Sequence, residues 1–122
     1  MLDHDVINRL IDAEDAGELL ARIDTIASDE MDAISRLRHA SVRGDLEAVR
    51  SGAVGMRTRA EIMGMRRLAN RLVELERVAT MDAIGQAHLH SQTLTRLIDE
   101  EIAEDFQALK DAIAEATASE QA

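Results

Sequence analysis

Apolar residues recur along the whole chain at intervals of three and four positions, and no segment alternates strictly between apolar and polar residues. Such a period places the apolar side chains on one face of a helix, so it predicts amphipathic helices rather than strands. Alanine fills 20 of the 122 positions and proline fills none, which favours helix throughout. The sequence therefore predicts an all-α fold.

Two helical segments are expected before Gly44. The first is an N-terminal segment over residues 1–27, with a break near Gly17. Ser28 is a residue type that caps helix N-termini, so a new helix is expected to begin there and to end at Gly44. The side chains expected to face inward on this helix are Met31, Ile34 and Leu37.

Two further helices are expected on either side of Gly64. Asp45 should cap the first of them, and Gly64 should end it. Each carries an apolar stripe that repeats every three or four residues. The stripe before Gly64 is Val49, Ala53, Met56, Ala60 and Met63, and the stripe after it is Met65, Leu68, Leu72, Leu75 and Ala79.

The last helix is expected to follow a loop over residues 85–92, and residues 117–122 are expected to fray. Its inward stripe is Ile98, Ile102, Phe106, Leu109 and Ile113. Short connections between helices of this length favour antiparallel neighbours. The predicted fold is a single domain over residues 1–122: an up-and-down antiparallel four-helix bundle over 28–116, with residues 1–27 as an N-terminal helical extension.

Composition excludes several classes of function. A net charge of −10 opposes general nucleic-acid binding, which depends on neutralising phosphates. The chain has no cysteine, no basic and apolar leader at its N-terminus, and no run of about 18 apolar residues. We therefore expect a cytoplasmic protein that does not enter a membrane, and we expect no cofactor and no metal site.

Positive charge is concentrated in the middle of this acidic chain. Between Arg43 and Arg77 lie eight arginines and five acidic residues. A basic band on an acidic protein favours approach to an acidic partner surface.

The segment from Asp45 to Glu76 reads D-x3-V-x3-A-V-x2-R-T-x5-G-M-x2-L-x6-LE. It resembles the centre of a histidine-containing phosphotransfer (HPt) domain, D-x3-L-x3-A-H-x2-K-G-x5-G-A-x2-L followed by LE. In that family the histidine projects from a bundle helix and accepts a phosphoryl group. Here Val54 stands at the histidine position, Arg57 at that of a nearby lysine and Thr58 at that of a glycine.

The resemblance implies a docking surface without phosphotransfer chemistry, because valine has no nucleophilic nitrogen. Val54 lies one residue off the inward stripe, about 100° around the helix, so partial exposure is expected. The expected contact residues for a response-regulator receiver domain or a histidine kinase are Arg50, Val54, Arg57, Thr58 and Glu61. The implied function is a pseudo-phosphotransfer adaptor that modulates a phosphorelay in two-component signalling, with no catalytic residue.

Two alternatives remain open from the sequence. The chain could transfer phosphate through another histidine, namely His39, His88 or His90. It could instead be a structural helical bundle that forms a homodimer through alanine-rich faces.

Overall fold

The structure of the protein, a computed structural model, describes residues 2–80 and 86–121, apart from the side chains of residues 86 and 119–121. Within these ranges the fold is all-α, as predicted, and contains five helices. They are α1 (His4–Ala13), α2 (Ala16–Val42), α3 (Leu46–Ile62), α4 (Arg66–Thr80) and α5 (Gln86–Gln121). None of the described helices has both the length and the apolar composition that crossing a membrane requires.

Aspartates cap the first three helices, and glycines end two of them. The side chain of Asp15 accepts hydrogen bonds from Gly17 N and Glu18 N at 3.0 and 3.2 Å. Asp45 accepts one from Ala48 N at 3.1 Å, which confirms the predicted cap of α3. Gly44 and Gly64 have φ of 74° and 72°, a backbone conformation that glycine adopts without a steric penalty, and they stand at the predicted helix ends.

The four longest helices contact one another in a closed order: α2 packs against α3 and α5, and α4 packs against α3 and α5. The Ser41–Ser91 and Asp24–Lys110 contacts show that α2 and α5 run in opposite directions. The contacts of α4 with α5 show the same relation, because Arg67 reaches Asp105 while Arg71 reaches Glu101. Neighbouring helices therefore meet side by side around one apolar core.

The N-terminus is fastened to the turn between α3 and α4. Asp3 N donates to Gly64 O at 2.7 Å, and Leu2 forms an isolated antiparallel bridge with Met65. Arg66 adds a contact of 3.3 Å with the Asp3 carboxylate. α1 then packs against α5 and α2, so it covers one side of the core.

The three predicted stripes of α3, α4 and α5 are confirmed. All of their residues are buried, and each belongs to the same core cluster. Burial of these side chains provides the main favourable contribution to folding.

The predicted helix start at Ser28 is wrong, whereas the break predicted near Gly17 is confirmed, because α1 ends at Ala13 and α2 begins at Ala16. α2 runs without interruption from Ala16 to Val42, so Ser28 lies inside a helix, and the boundary between 1–27 and 28–116 does not exist. The apolar period is interrupted at Glu30, which is 4 % exposed and occupies a core position. Met31, expected to face inward, is 38 % exposed because the true stripe passes through Glu30 beside it.

The predicted loop over 85–92 is also wrong where the structure describes it, and the fraying expected for 117–122 stays a prediction. Residues 86–92 are already helical, and α5 continues to Gln121. Ser91 and Thr95 are buried core positions of α5 whose hydroxyls donate to the carbonyls of His88 and Ser91 at 2.9 and 2.8 Å. Because Ser91 and Thr95 are polar residues at core positions, the apolar period of α5 was not recognisable in this segment. Gly85 and Ala122 lie outside the described residues.

Asp105 brings a carboxylate into the α4–α5 interface. It is 4 % exposed, and Arg67 Nε donates to its Oδ1 at 2.8 Å. Burial raises the pKa of Asp105 above its ordinary value, while the hydrogen bond and charge of Arg67 oppose that shift.

We expect Gly52→Ala to destabilise the protein by about 1–3 kcal/mol, because an added Cβ would lie 2.3 Å from Leu37 Cδ2 and would force the buried Leu37 side chain out of its present packing. Gly55→Ala is the matched control. Its Cβ would lie 3.3 Å from Arg59 NH1, at the far end of a long side chain that can shift slightly, so the gain in helix propensity should stabilise the protein by about 0.5–1 kcal/mol. Urea unfolding of both variants measures the two effects. Equal effects of the two substitutions would contradict the close α2–α3 contact.

We expect Asp105→Asn to gain stability relative to the parent as pH rises. The folded-state pKa of Asp105 is raised above 3.8, so the stability that its protonated form contributes at low pH is lost as pH rises through the folded-state pKa. Asparagine does not ionise and avoids this loss. Urea unfolding between about pH 4 and about pH 7 should show the difference in free energy of unfolding, variant minus parent, increasing with pH.

The control for this measurement is Glu104→Gln, which removes an exposed carboxylate 3.8 Å from the same guanidinium. The difference in free energy of unfolding between Glu104→Gln and the parent should change less with pH than that of Asp105→Asn, because the charge of Glu104 is the last and smallest of the named causes that raise the pKa of Asp105. If the free energy of unfolding of Asp105→Asn minus that of the parent stayed constant or fell with pH, burial would not raise the pKa of Asp105 as expected.

Candidate partner-binding surface

The five predicted contact residues lie together on one flank of α3. The buried stripe from Val49 to Met63 faces the core, and Val54 stands beside it, half-buried. Arg50, Arg57, Thr58 and Glu61 are four, three, four and seven residues from Val54, so they share its side of the helix. We call this set of five residues the Val54 face.

Arg57 joins this face to α4. Its Nε donates to Glu76 Oε2 at 3.0 Å, and its NH1 donates to Glu61 Oε1 at 3.3 Å. The hydrogen bond to Glu76, followed by that to Glu61, raises the pKa of Arg57 above its ordinary value. The guanidinium is therefore held in place between two carboxylates, and much of its charge is offset within the chain.

Arg50 is held in a similar way at the N-terminal end of the face. Its Nε donates to Glu47 Oε2 at 3.1 Å, three residues earlier on the same helix. This hydrogen bond raises the pKa of Arg50 and lowers that of Glu47. The charge of Glu76 also acts on Arg50, so Glu76 influences both arginines of the face.

Thr58 points its hydroxyl back at its own helix. Its Oγ1 donates to Val54 O at 3.1 Å, which uses the donor and leaves the methyl group at the surface. Thr58 thus adds apolar surface next to Val54, while its hydroxyl is bonded to the backbone of α3.

The structure extends the candidate surface onto α4. Arg57, Val73, Glu76, Arg77 and Thr80 line a shallow depression of about 390 Å³ between α3 and α4. Val73 is 47 % exposed, although it follows a fully buried leucine. The sequence analysis missed Val73 because it considered one helix at a time. Val73 could have been found as an apolar residue one position off the α4 stripe, the same relation that Val54 has to the α3 stripe.

The basic band between Arg43 and Arg77 is largely neutralised by folding. Within the described residues, seven of its eight arginines approach a carboxylate within 4 Å, the exception being Arg43. Several of these carboxylates come from outside the band, for example Glu30, Asp105 and Glu101. The local excess of positive charge therefore forms salt bridges between helices rather than one open cationic surface.

The three histidines considered as phosphate acceptors lie on α2 and α5, not on α3 with Val54. His39 is exposed in the last turn of α2, and His88 and His90 lie in the first turns of α5 rather than in a loop. His88 Nε2 is 2.9 Å from Gln92 Nε2. In the part of the chain that the structure describes, no three histidine or carboxylate side chains are grouped as metal ligands.

Comparison of the chain with protein-family models, curated proteins and solved structures gives no match. The placement of the residues is therefore the basis for a functional proposal.

We expect Val54→Asp to cost about 1 kcal/mol of folding stability, because Val54 is half-buried and a carboxylate there can reach water. Ala53→Asp is the contrast, since Ala53 is 0 % exposed and its replacement would bury an unpaired charge. That variant should lose about 3 kcal/mol or more. Thermal and urea unfolding would measure both, and similar losses would show that Val54 is not on the surface.

Proposed function

We propose that the protein is a non-catalytic, HPt-like adaptor that binds a two-component signalling protein, either a receiver domain or a histidine kinase, and modulates phosphorelay. The observation that carries this proposal is the position of Val54. It stands half-buried on a flank of α3, among charged and polar residues, at the place where the HPt pattern has its histidine.

The chemistry of the face supports binding and opposes phosphate transfer. Valine offers no nitrogen to a phosphoryl group, and Arg57 is already engaged by Glu76 and Glu61. A cation that is paired in this way attracts a phosphoryl group less strongly than a free lysine does. What remains is a shaped surface that a partner can recognise.

The arrangement suits a protein contact of modest size. Val54 on α3 and the exposed Val73 on α4 each supply apolar surface, and Arg57, Glu61 and Glu76 supply charged neighbours of both signs. Interfaces commonly combine an apolar centre with a polar rim, and the charges set the orientation of the partner.

The finer architecture in this proposal is an up-and-down antiparallel four-helix bundle of α2 to α5, with α1 as the N-terminal extension. The closed order of helix contacts and the opposite directions of α2 and α5 and of α4 and α5 support it. An HPt-like docking surface requires such a helix pair to be exposed on one side. We place the protein in the cytoplasm, where two-component signalling partners would meet it.

Homodimer formation through alanine-rich faces receives less support. Ala40, Ala53, Ala60 and Ala69 are buried within the single chain, where they allow helices to approach closely. They are thus used by the intramolecular core.

The proposal is tested by titrating the full chain against a panel of receiver domains and histidine kinases. We expect one partner class to bind, and we expect Val54→Asp to weaken that binding at least tenfold, because it places a charge at the centre of the contact. Arg96→Gln, an exposed change on α5, is the control and should leave affinity within twofold. Binding that is unaffected by Val54→Asp, or no binding across the panel, would overturn the proposal.

A gain-of-function variant tests the same site from the opposite direction. Val54→His, combined with Thr58→Gly to restore the open surface, should accept acid-labile phosphate from a partner kinase or receiver, whereas the parent should not. Phosphate uptake by the parent that is lost in a His39, His88 or His90 variant would instead favour an active phosphotransfer protein.

A further inference from the structure

A second surface lies on the opposite flank of α3 from the Val54 face. The groove between α2 and α3 has a volume of about 310 Å³. Its floor is apolar, and its rim carries three arginines. The floor residues are Ala33, Leu37, Ala40, Ala48, Gly52 and Met56, and the rim residues are Arg36, Arg43 and Arg59. We call this feature the α2–α3 groove.

The groove differs from the rest of the surface in its charge. None of its lining residues is acidic, although the chain as a whole has a net charge of −10. Arg59 is engaged by the carboxylate of Glu30. Arg36 and Arg43 are exposed, and neither approaches a carboxylate within 4 Å among the residues that the structure describes. They are unusual in this respect, because most arginines of the described chain have such a partner.

The two unpaired arginines have a defined spacing. Arg36 lies on α2, and Arg43 follows seven residues later as its C-cap with a helical backbone conformation, so both lie on the same side about 10 Å apart along the helix axis. The groove residues of α2 and its C-cap extend from Ala33 to Arg43, about three helical turns. Small alanine side chains in the floor leave room for larger apolar side chains from a partner.

The backbone chemistry favours a helix as the occupant. Both walls are helices, whose N–H and C=O groups are bonded internally, so they offer no edge to an extended strand. A helical segment satisfies its own backbone groups and can place apolar side chains at i, i+3, i+4 and i+7 into such a groove.

We propose that the α2–α3 groove binds an acidic amphipathic helix of another protein. Its apolar side chains cover the floor, and two of its carboxylates, seven residues apart, pair with Arg36 and Arg43. Because the remaining surface is acidic, it repels such a helix elsewhere and directs it to this groove. This interaction is independent of the Val54 face, because α3 separates the two surfaces.

The test is a titration of the full chain with two fluorescent synthetic helices of 18 residues. Both carry a leucine stripe; one has two glutamates seven residues apart beside the stripe, and the other has glutamines there. We expect the glutamate helix to bind at least about fivefold more tightly, since two exposed ion pairs contribute to it. Equal affinities, or no binding of the glutamate helix at millimolar concentration, would overturn the proposal.

Variants locate the site. Arg36→Gln with Arg43→Gln should remove the preference for glutamate, and Arg96→Gln, which removes an exposed arginine on α5, should retain it. Ala48→Glu should weaken both peptides, because it adds a carboxylate to the groove at the first turn of α3, where an acidic residue is well tolerated. Loss of binding in Val54→Asp with full binding in the double arginine variant would place the peptide on the Val54 face and overturn the assignment.

Discussion

Burial of the α3 stripe from Val49 to Met63 sets the direction of every other side chain on that helix. With the stripe in the core, one flank of α3 meets α4 and the other meets α2. Arg57 reaches Glu76 on the first flank, and Arg59 reaches Glu30 on the second. The close contact of Gly52 with Leu37 keeps the α2 side tight. The positions of both candidate surfaces therefore depend on the rotation of α3 about its own axis.

Pairing of arginine with carboxylate is the second constraint on the molecule. Glu30 and Asp105 occupy core positions, and each is accompanied by an arginine whose guanidinium reaches in from a neighbouring helix. A buried carboxylate without such a partner would be costly, so these pairs also fix which helices lie side by side. Because these pairs use Arg59 and Arg67, the segment between Arg43 and Arg77 presents less free positive charge than its sequence suggests.

The two candidate surfaces differ in how their charges are used. On the Val54 face, Arg50 and Arg57 are held by carboxylates of the same chain, so little free positive charge remains there. In the α2–α3 groove, Arg36 and Arg43 keep their charge available for an acidic partner. The two proposed surfaces lie on opposite flanks of α3, so an occupant of one does not cover the residues of the other.

The sequence by itself determined the helical class, the caps at Asp45, Gly44 and Gly64, and the stripes of α3, α4 and α5. These follow from local backbone preferences and from a period that repeats within one helix. It also placed Val54 beside the stripe, because an angle of about 100° per residue is a local property.

Only the tertiary structure decided where polar residues belong to the core. Glu30, Ser41, Ser91, Thr95 and Asp105 are buried, and their bonding partners lie on other helices or one turn back along the same one. Because the sequence pattern treats such residues as exposed, it divided α2 at Ser28 and replaced the start of α5 with a loop. The same limit applies to charge: whether an arginine is free or paired depends on a carboxylate that can lie tens of residues away, and a pattern read along one helix contains no information about it.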